Sequence, residues 1–135
     1  MKFGVAVKGI IRRDGKILVV KRSHCDVHRP CNWETVGGSM DENETPHEAL
    51  EREIMEESNL KVKIVEPFNV FCFNKDSGEF KVGITFICDW LSGEVMLSEE
   101  HQDYKWILPN EFSELESVPS LYEEINDYMK KYERK

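Results

Sequence analysis

The chain has 135 residues, 40% hydrophobic and 33% charged, with a formal net charge of −8. That is enough apolar material for an ordinary core; it excludes a disordered tail or a fibre and suits one domain over residues 1–135. The negative balance argues against a nucleic-acid polymer as partner, because neutralised phosphates supply most of that affinity, but it leaves room for a small phosphorylated ligand bridged by a cation.

No apolar run approaches the length that spans a bilayer. The opening "MKFGVAVKGIIRRDGK" is broken by charge and lacks a small-residue cleavage site, so a cytoplasmic setting without membrane contact is expected. Four cysteines, Cys25, Cys31, Cys72 and Cys88, do not form a dense secreted framework and are expected to be reduced.

In chain order, "FGVAVKGIIRR" and "KILVVKR" are apolar, β-branched runs on either side of Asp14-Gly15, a strong hairpin signal because both turn residues must tolerate positive φ. Residues 23–32, "SHCDVHRPCN", read as a loop. "WETVGG" follows as a short strand ending in a glycine turn. A helix is predicted next, with Thr45 as N-cap, Pro46 in the first helical position and Glu48 completing a capping box. Asn59 stands where a left-handed C-terminal residue is expected. "LKVKIVEPFNVFCFN" and "FKVGITFICDWL" are two further strands around "KDSGE", and "YKWIL" is a short one. In the final segment Leu121, Ile125, Tyr128 or Met129, and Tyr132 recur at helical spacing and predict a helix with one buried stripe. Strands, helix, strands, helix favour an α/β fold in which a mixed sheet lies between helices.

The central helix poses an electrostatic question. "ETPHEALEREIMEESNL", residues 44–60, holds six glutamates and one arginine, although like charges one helical turn apart repel by a few tenths of a kcal/mol each. At about 100° per residue, Glu53, Glu56 and Glu57 share an arc of roughly 100° beside the apolar Leu50 and Ile54. Three carboxylates therefore border the buried face, where repulsion is strongest. Arg52 can offset this locally by pairing with Glu48 or Glu56. A divalent cation offsets it fully: Mg²⁺ takes hard oxygen ligands and is usually held by a few carboxylates plus substrate phosphates. The plain alternative is a solvated acidic helix.

The wider spacing bears on that choice. From Gly38 the chain reads Gly, five residues, Glu44, seven residues, Arg52-Glu53-Ile54, one residue, Glu56-Glu57, one residue, Asn59-Leu60. This resembles the Nudix box, Gx5Ex7REUxEExGU with U aliphatic, at every specified position except Asn59, where the box has glycine. Asparagine is the next residue to accept left-handed geometry, so the change is mild. Val36 stands where many relatives place proline. The resemblance covers residues 38–60, and the flanking strand order and length also look like a Nudix domain of α/β/α sandwich type.

The resemblance implies hydrolysis of a nucleoside diphosphate linked to a further group X, dependent on Mg²⁺ or Mn²⁺. By it, Glu53, Glu56 and Glu57 are metal ligands, with the carbonyl of Gly37 or Gly38 adding another. Glu44 and Arg52 would orient the cluster. Glu53 or Glu56 could instead orient or deprotonate the attacking water, and Asp103 or Glu100, in "SEEHQDYKW", are candidates for an extra ligand or base. Arg22 is a candidate phosphate contact, since its fork matches phosphate oxygens, or an ordinary surface charge; Lys21 alternates to the other face. Trp33 could stack on a base or cap the core. His24, Cys25, His28 and Cys31 fall within eight residues and are zinc-type ligands, but their spacing matches no common structural zinc pattern.

The box is silent on X. Longer signatures of some subfamilies are absent from residues 72–80, and the short domain is most similar to mutator-type nucleoside triphosphate pyrophosphohydrolases. The expected substrate is thus a nucleoside or deoxynucleoside triphosphate, modified or not, with ADP-ribose or a nucleotide sugar as the enzymatic alternative. A non-catalytic nucleotide- or protein-binding module is the rival of another class; such modules tend to lose box glutamates, and here all are present. The sequence fits a monomer or a homodimer equally.

Overall fold

The computed structural model describes residues 3–24, 31–75 and 77–133. Its strands are β1 (Phe3–Arg13), β2 (Lys16–Arg22), β3 (Trp33–Glu34), β4 (Val36–Ser39), β5 (Lys61–Asn74), β6 (Phe80–Ser92) and β7 (His101–Ile107). Helix α1 spans Pro46–Ser58 and α2 spans Pro119–Tyr132, with a 3-10 turn at Pro109–Glu114. All seven strands join one mixed sheet. β1 and β6 run parallel, and every other pairing is antiparallel.

The sheet carries a helix on each face, as the alternation along its strands requires. Val7, Ile11, Leu18, Val20, Phe86 and Cys88 point to one side and pack with Leu50 and Ile54 of α1. Their neighbours Ile10, Ile17, Val19 and Ile87 point to the other and pack with Ile125 and Tyr128 of α2. The predicted stripe of the last helix is the face it buries.

Turn and cap chemistry follow the residues. Asp14 and Gly15 take φ of 51° and 80°, closing the β1–β2 hairpin. Thr45 accepts from the Glu48 backbone while the Glu48 carboxylate accepts from the Thr45 backbone, so the capping box is complete. Asn59 ends α1 at φ 64°, ψ 22°, with its N–H donated to the Met55 carbonyl.

Three features differ from the sequence expectation. "WETVGG" is two strands, because the chain changes partner at Thr35: β3 pairs with β2 and β4 pairs with β1. β1 and β2 share only two rungs near their turn, Arg12 with Ile17 and Arg13 with Lys16, and then splay apart. β3 and β4 fill that wedge. Second, β7 begins at His101 rather than Tyr104, which moves Asp103 from a loop onto a strand opposite Lys21. Third, the 3-10 turn was not anticipated; Phe112 buries there against the α2 side.

The left-handed cap gives a direct test of the one box position that departs from the pattern. Asn59→Gly should leave stability within about 0.5 kcal/mol, whereas Asn59→Val should cost ~1–2 kcal/mol, since a β-branched residue resists positive φ. Urea denaturation monitored by circular dichroism measures both.

Candidate active site

The wedge sets the site. β4 lies along β1 with Gly37 opposite Lys8 and Gly38 opposite Val7, and α1 crosses over it. A Cβ at Gly38 would stand 2.5 Å from the Glu53 carboxylate and push it from its place. At Gly37 a Cβ would meet the Val7 carbonyl oxygen at 2.1 Å. Two adjacent glycines thus let the backbone approach the carboxylates directly.

Arg52 organises the outer acids. Its Nε and Nη2 form a fork on Glu44, donating to Oε2 at 2.7 Å and Oε1 at 3.0 Å. Nη1 donates to Glu53 at 3.2 Å and to Glu56 at 3.1 Å, and Nη2 also donates to the Ser39 carbonyl at 3.1 Å. The expected choice for Arg52 resolves to Glu56, because Glu48 is taken up by the cap. The bond from Arg52 holds Glu44 below the ordinary carboxylate range, helped by the Asp41 N–H.

The inner acids have less support. Burial pushes Glu53 upward, opposed by Arg52 and reinforced by Glu56 and Glu100. Glu57 is 5% exposed and accepts from the Gly37 N–H at 3.2 Å. Burial, with a hydrogen bond shared with Glu100, pushes its carboxyl up to about 8 against the pull of Lys8. Glu57, Glu100 and His101 each bring a ligand atom within 4.8 Å of the others. Of the two candidates beyond the box, Glu100 therefore belongs to the cluster. Asp103 does not. It shares the opposite sheet face with Lys21, accepts from the Tyr104 N–H, and lines an outer groove with Lys16, Lys105 and Glu111.

Arg22 and Trp33 need redescription. Arg22 donates from Nη1 to Glu34 Oε1 at 3.0 Å, so a protein carboxylate engages one arm of its guanidinium. Trp33 is 6% exposed within the α2-side core, with the Lys105 ammonium 5.3 Å and the Lys21 ammonium 6.0 Å from its ring centre. The core-capping alternative describes it; no base could stack on a ring so covered. Cys25 and His28 lie outside the described residues. Gln102 links the other two members of that group, with Oε1 3.4 Å from His24 Nδ1 and Nε2 3.4 Å from Cys31 Sγ.

Sequence reasoning missed Glu34, Lys8 and His101. Burial alone would raise Glu34, but Lys8 at 3.7 Å, a hydrogen bond with His101 and Arg22 together hold it at about 2. Its signal was available: an acid between Trp33 and Thr35 in a strand that is otherwise buried.

The donor set suits a divalent cation. Hard oxygens from an apolar-bordered helix converge beside a backbone stripped of side chains, and the negative charge outruns its local partners. That pattern agrees with comparison to known proteins. The profile of the NUDIX domain matches residues 2–128. The chain belongs to the Nudix family.

As a Nudix hydrolase it acts on phosphoric anhydrides. It is 34% identical over 131 residues to the ADP-ribose pyrophosphatase of Methanocaldococcus jannaschii, covering 93% of this chain and 73% of that protein. It is 31% identical over 111 residues to a MutT-like protein of Streptomyces ambofaciens, covering 82% and 67%. Its fold is similar to the MutT protein of Methanosarcina mazei, with a TM-score of 0.83 at 21% identity over 99% of this chain and 97% of that one. The Escherichia coli ORF135 protein gives 0.81 at 27% identity, covering 99% and 94%. Among the described residues, no helix is long and apolar enough to cross a membrane.

The Glu57 environment predicts a pH signature. A carboxyl raised on folding favours the fold while protonated; its contribution is complete below its ordinary 4.5 and drains away as pH climbs through about 8. The Tm of metal-free protein should fall across that window more steeply than the Tm of Glu57→Gln. Scanning calorimetry in chelator checks this, and adding a divalent salt should close the gap.

Proposed function

We propose that this Nudix hydrolase converts a nucleoside or deoxynucleoside triphosphate, ordinary or chemically modified, to the monophosphate and pyrophosphate with Mg²⁺ or Mn²⁺. The observation that carries the reading is the Glu53 carboxylate against Gly38 and Glu57 accepting from the Gly37 N–H, with Glu56 linked to Glu53 through Arg52. Those carboxylates, with the Gly38 carbonyl, would hold the metal. Bound there, it supplies charge neutralisation for the diphosphate and for the transition state.

The chain's own groups do the rest. Arg52, anchored by its fork on Glu44, fixes the carboxylates of Glu53 and Glu56 in place, the usual requirement of an accurate site. Glu53 or Glu56 orients the attacking water and accepts its proton, with Glu100 as a further candidate for that role. Lys8 and Arg22, tied to Glu34, add positive charge to the wedge where an anionic substrate must come to rest. A cytoplasmic setting, one Nudix domain over 1–135, and a monomeric or homodimeric state complete the proposal.

ADP-ribose is the second reading, supported by the likeness to the archaeal ADP-ribose pyrophosphatase over 93% of this chain. The retained box carboxylates speak against a module that only binds.

Purified protein should release pyrophosphate from at least one triphosphate in a panel of ordinary and oxidised nucleotides, and only with divalent metal. Monophosphate products from ADP-ribose alone would favour the second reading. Glu56→Gln and Glu57→Gln should each lower kcat at least about a hundredfold while keeping the fold, and Arg52→Gln about ten- to a hundredfold. Undiminished turnover by both glutamate variants in chelator would overturn the proposal.

A further inference from the structure

One buried polar atom beside the box carboxylates has no hydrogen-bond partner among the described residues. The side chain of His101, at the start of β7, is 2% exposed. Its Nε2 lies 2.8 Å from Glu34 Oε2. Its Nδ1 is closed off from solvent and finds no hydrogen-bond partner among the described residues. Leaving such an atom unsatisfied is costly, so a buried imidazole nitrogen in this state calls for a ligand.

The surroundings define which ligand. A ring nitrogen of His101 and carboxylate oxygens of Glu57 and Glu100 all lie within 4.8 Å of one another. Donors held about 2.0–2.2 Å from a shared ion stand roughly 3–4 Å apart, so small side-chain rotations close the set. Glu34 lies behind the ring between Lys8 and Arg22, at 3.7 and 3.0 Å. A carboxylate there accepts a hydrogen bond from Nε2–H, fixes the tautomer and leaves the Nδ1 lone pair open, the arrangement that metal-binding histidines commonly use. Glu100 is exposed and gives an ion a way in.

We propose that His101 Nδ1 joins Glu57 and Glu100 in a mixed nitrogen–oxygen site, and that the site selects a borderline divalent ion such as Mn²⁺ or Co²⁺ over Mg²⁺. Imidazole suits the borderline ions, whereas Mg²⁺ favours an all-oxygen shell and surrenders its waters reluctantly. The inference rests on the proposed role of Glu57 as a metal ligand and extends it to a donor outside the box. It also gives Glu34 a role as a positioning residue, acting through the ring it holds.

The test uses the full chain with MnCl2 and MgCl2 as probes. Pulsed electron paramagnetic resonance of the Mn²⁺-loaded wild type should show coupling to a ligated ¹⁴N nucleus. His101→Gln, with its fold checked by circular dichroism, should lose that coupling. By calorimetric titration it should bind Mn²⁺ at least about tenfold more weakly, with Mg²⁺ affinity changed less than about twofold. If His101→Gln does not fold, a variant with the other three histidines changed to glutamine answers the same question, and its coupling should persist. Mn²⁺ binding and metal-dependent hydrolysis without nitrogen coupling in the wild type would overturn this inference alone. Coupling that survives in His101→Gln would do the same. Failure of the wild type to bind any divalent ion or to hydrolyse any nucleotide would instead remove the reading on which it rests.

Discussion

The structure depends on a local shortage of positive charge. Asp41, Glu44, Glu53 and Glu56 all lie within reach of one guanidinium, that of Arg52. Its fork is spent on Glu44, which leaves a single Nη1 to serve Glu53 and Glu56 together. Deeper in the wedge Glu57 and Glu100 hydrogen-bond each other, two acids sharing what a cation would otherwise supply. Such an arrangement would be selected against in a helix whose only task was to cover a sheet, because lysine or glutamine would serve there without repulsion. A doubly charged ion turns the same geometry from a liability into a binding site.

The sheet makes this crowding possible. Splaying β1 from β2 opens a cleft between two strands that would otherwise pair along their length, and the short β3–β4 segment brings different chemistry to its two walls. Toward β2 it offers Glu34, which ties Lys8, Arg22 and His101 into one network. Toward β1 it offers two glycines, so that the backbone of β4 is itself a surface of the site. A methyl group at Gly38 would displace the Glu53 carboxylate from where it now lies against the β4 backbone. Fold and site are thus joined at positions where the side chain is absent.

Much of this was legible in the sequence. The hairpin at Asp14-Gly15, the Thr45 cap, the left-handed Asn59 and the stripe of α2 are local, and local rules place them. The acidic helix was legible because its charge pattern contradicts helix propensity. What stayed hidden was long-range. Nothing near Glu34 in the chain reveals that His101 will lie 67 residues away at hydrogen-bond distance. Asp103 was named beside Glu100 because the strand was expected to begin three residues later. Moving the strand start put Asp103 on the far face of the sheet. Arg22 and Trp33 stayed open between ligand and protein for a related reason: a side chain at a strand end can face either, and only long-range packing turns Trp33 into the core and brings Arg22 to Glu34.

The parallel pairing of β1 with β6 has a kinetic side. Its rungs run from Phe3 with Phe80 to Arg12 with Asp89, joining residues 77 positions apart. Closing so large a loop before its contacts reward it makes for slow assembly. Helix α1 lies within that loop and is capped by its own residues, so the local structure that brings Glu53, Glu56 and Glu57 together does not depend on the long-range pairing.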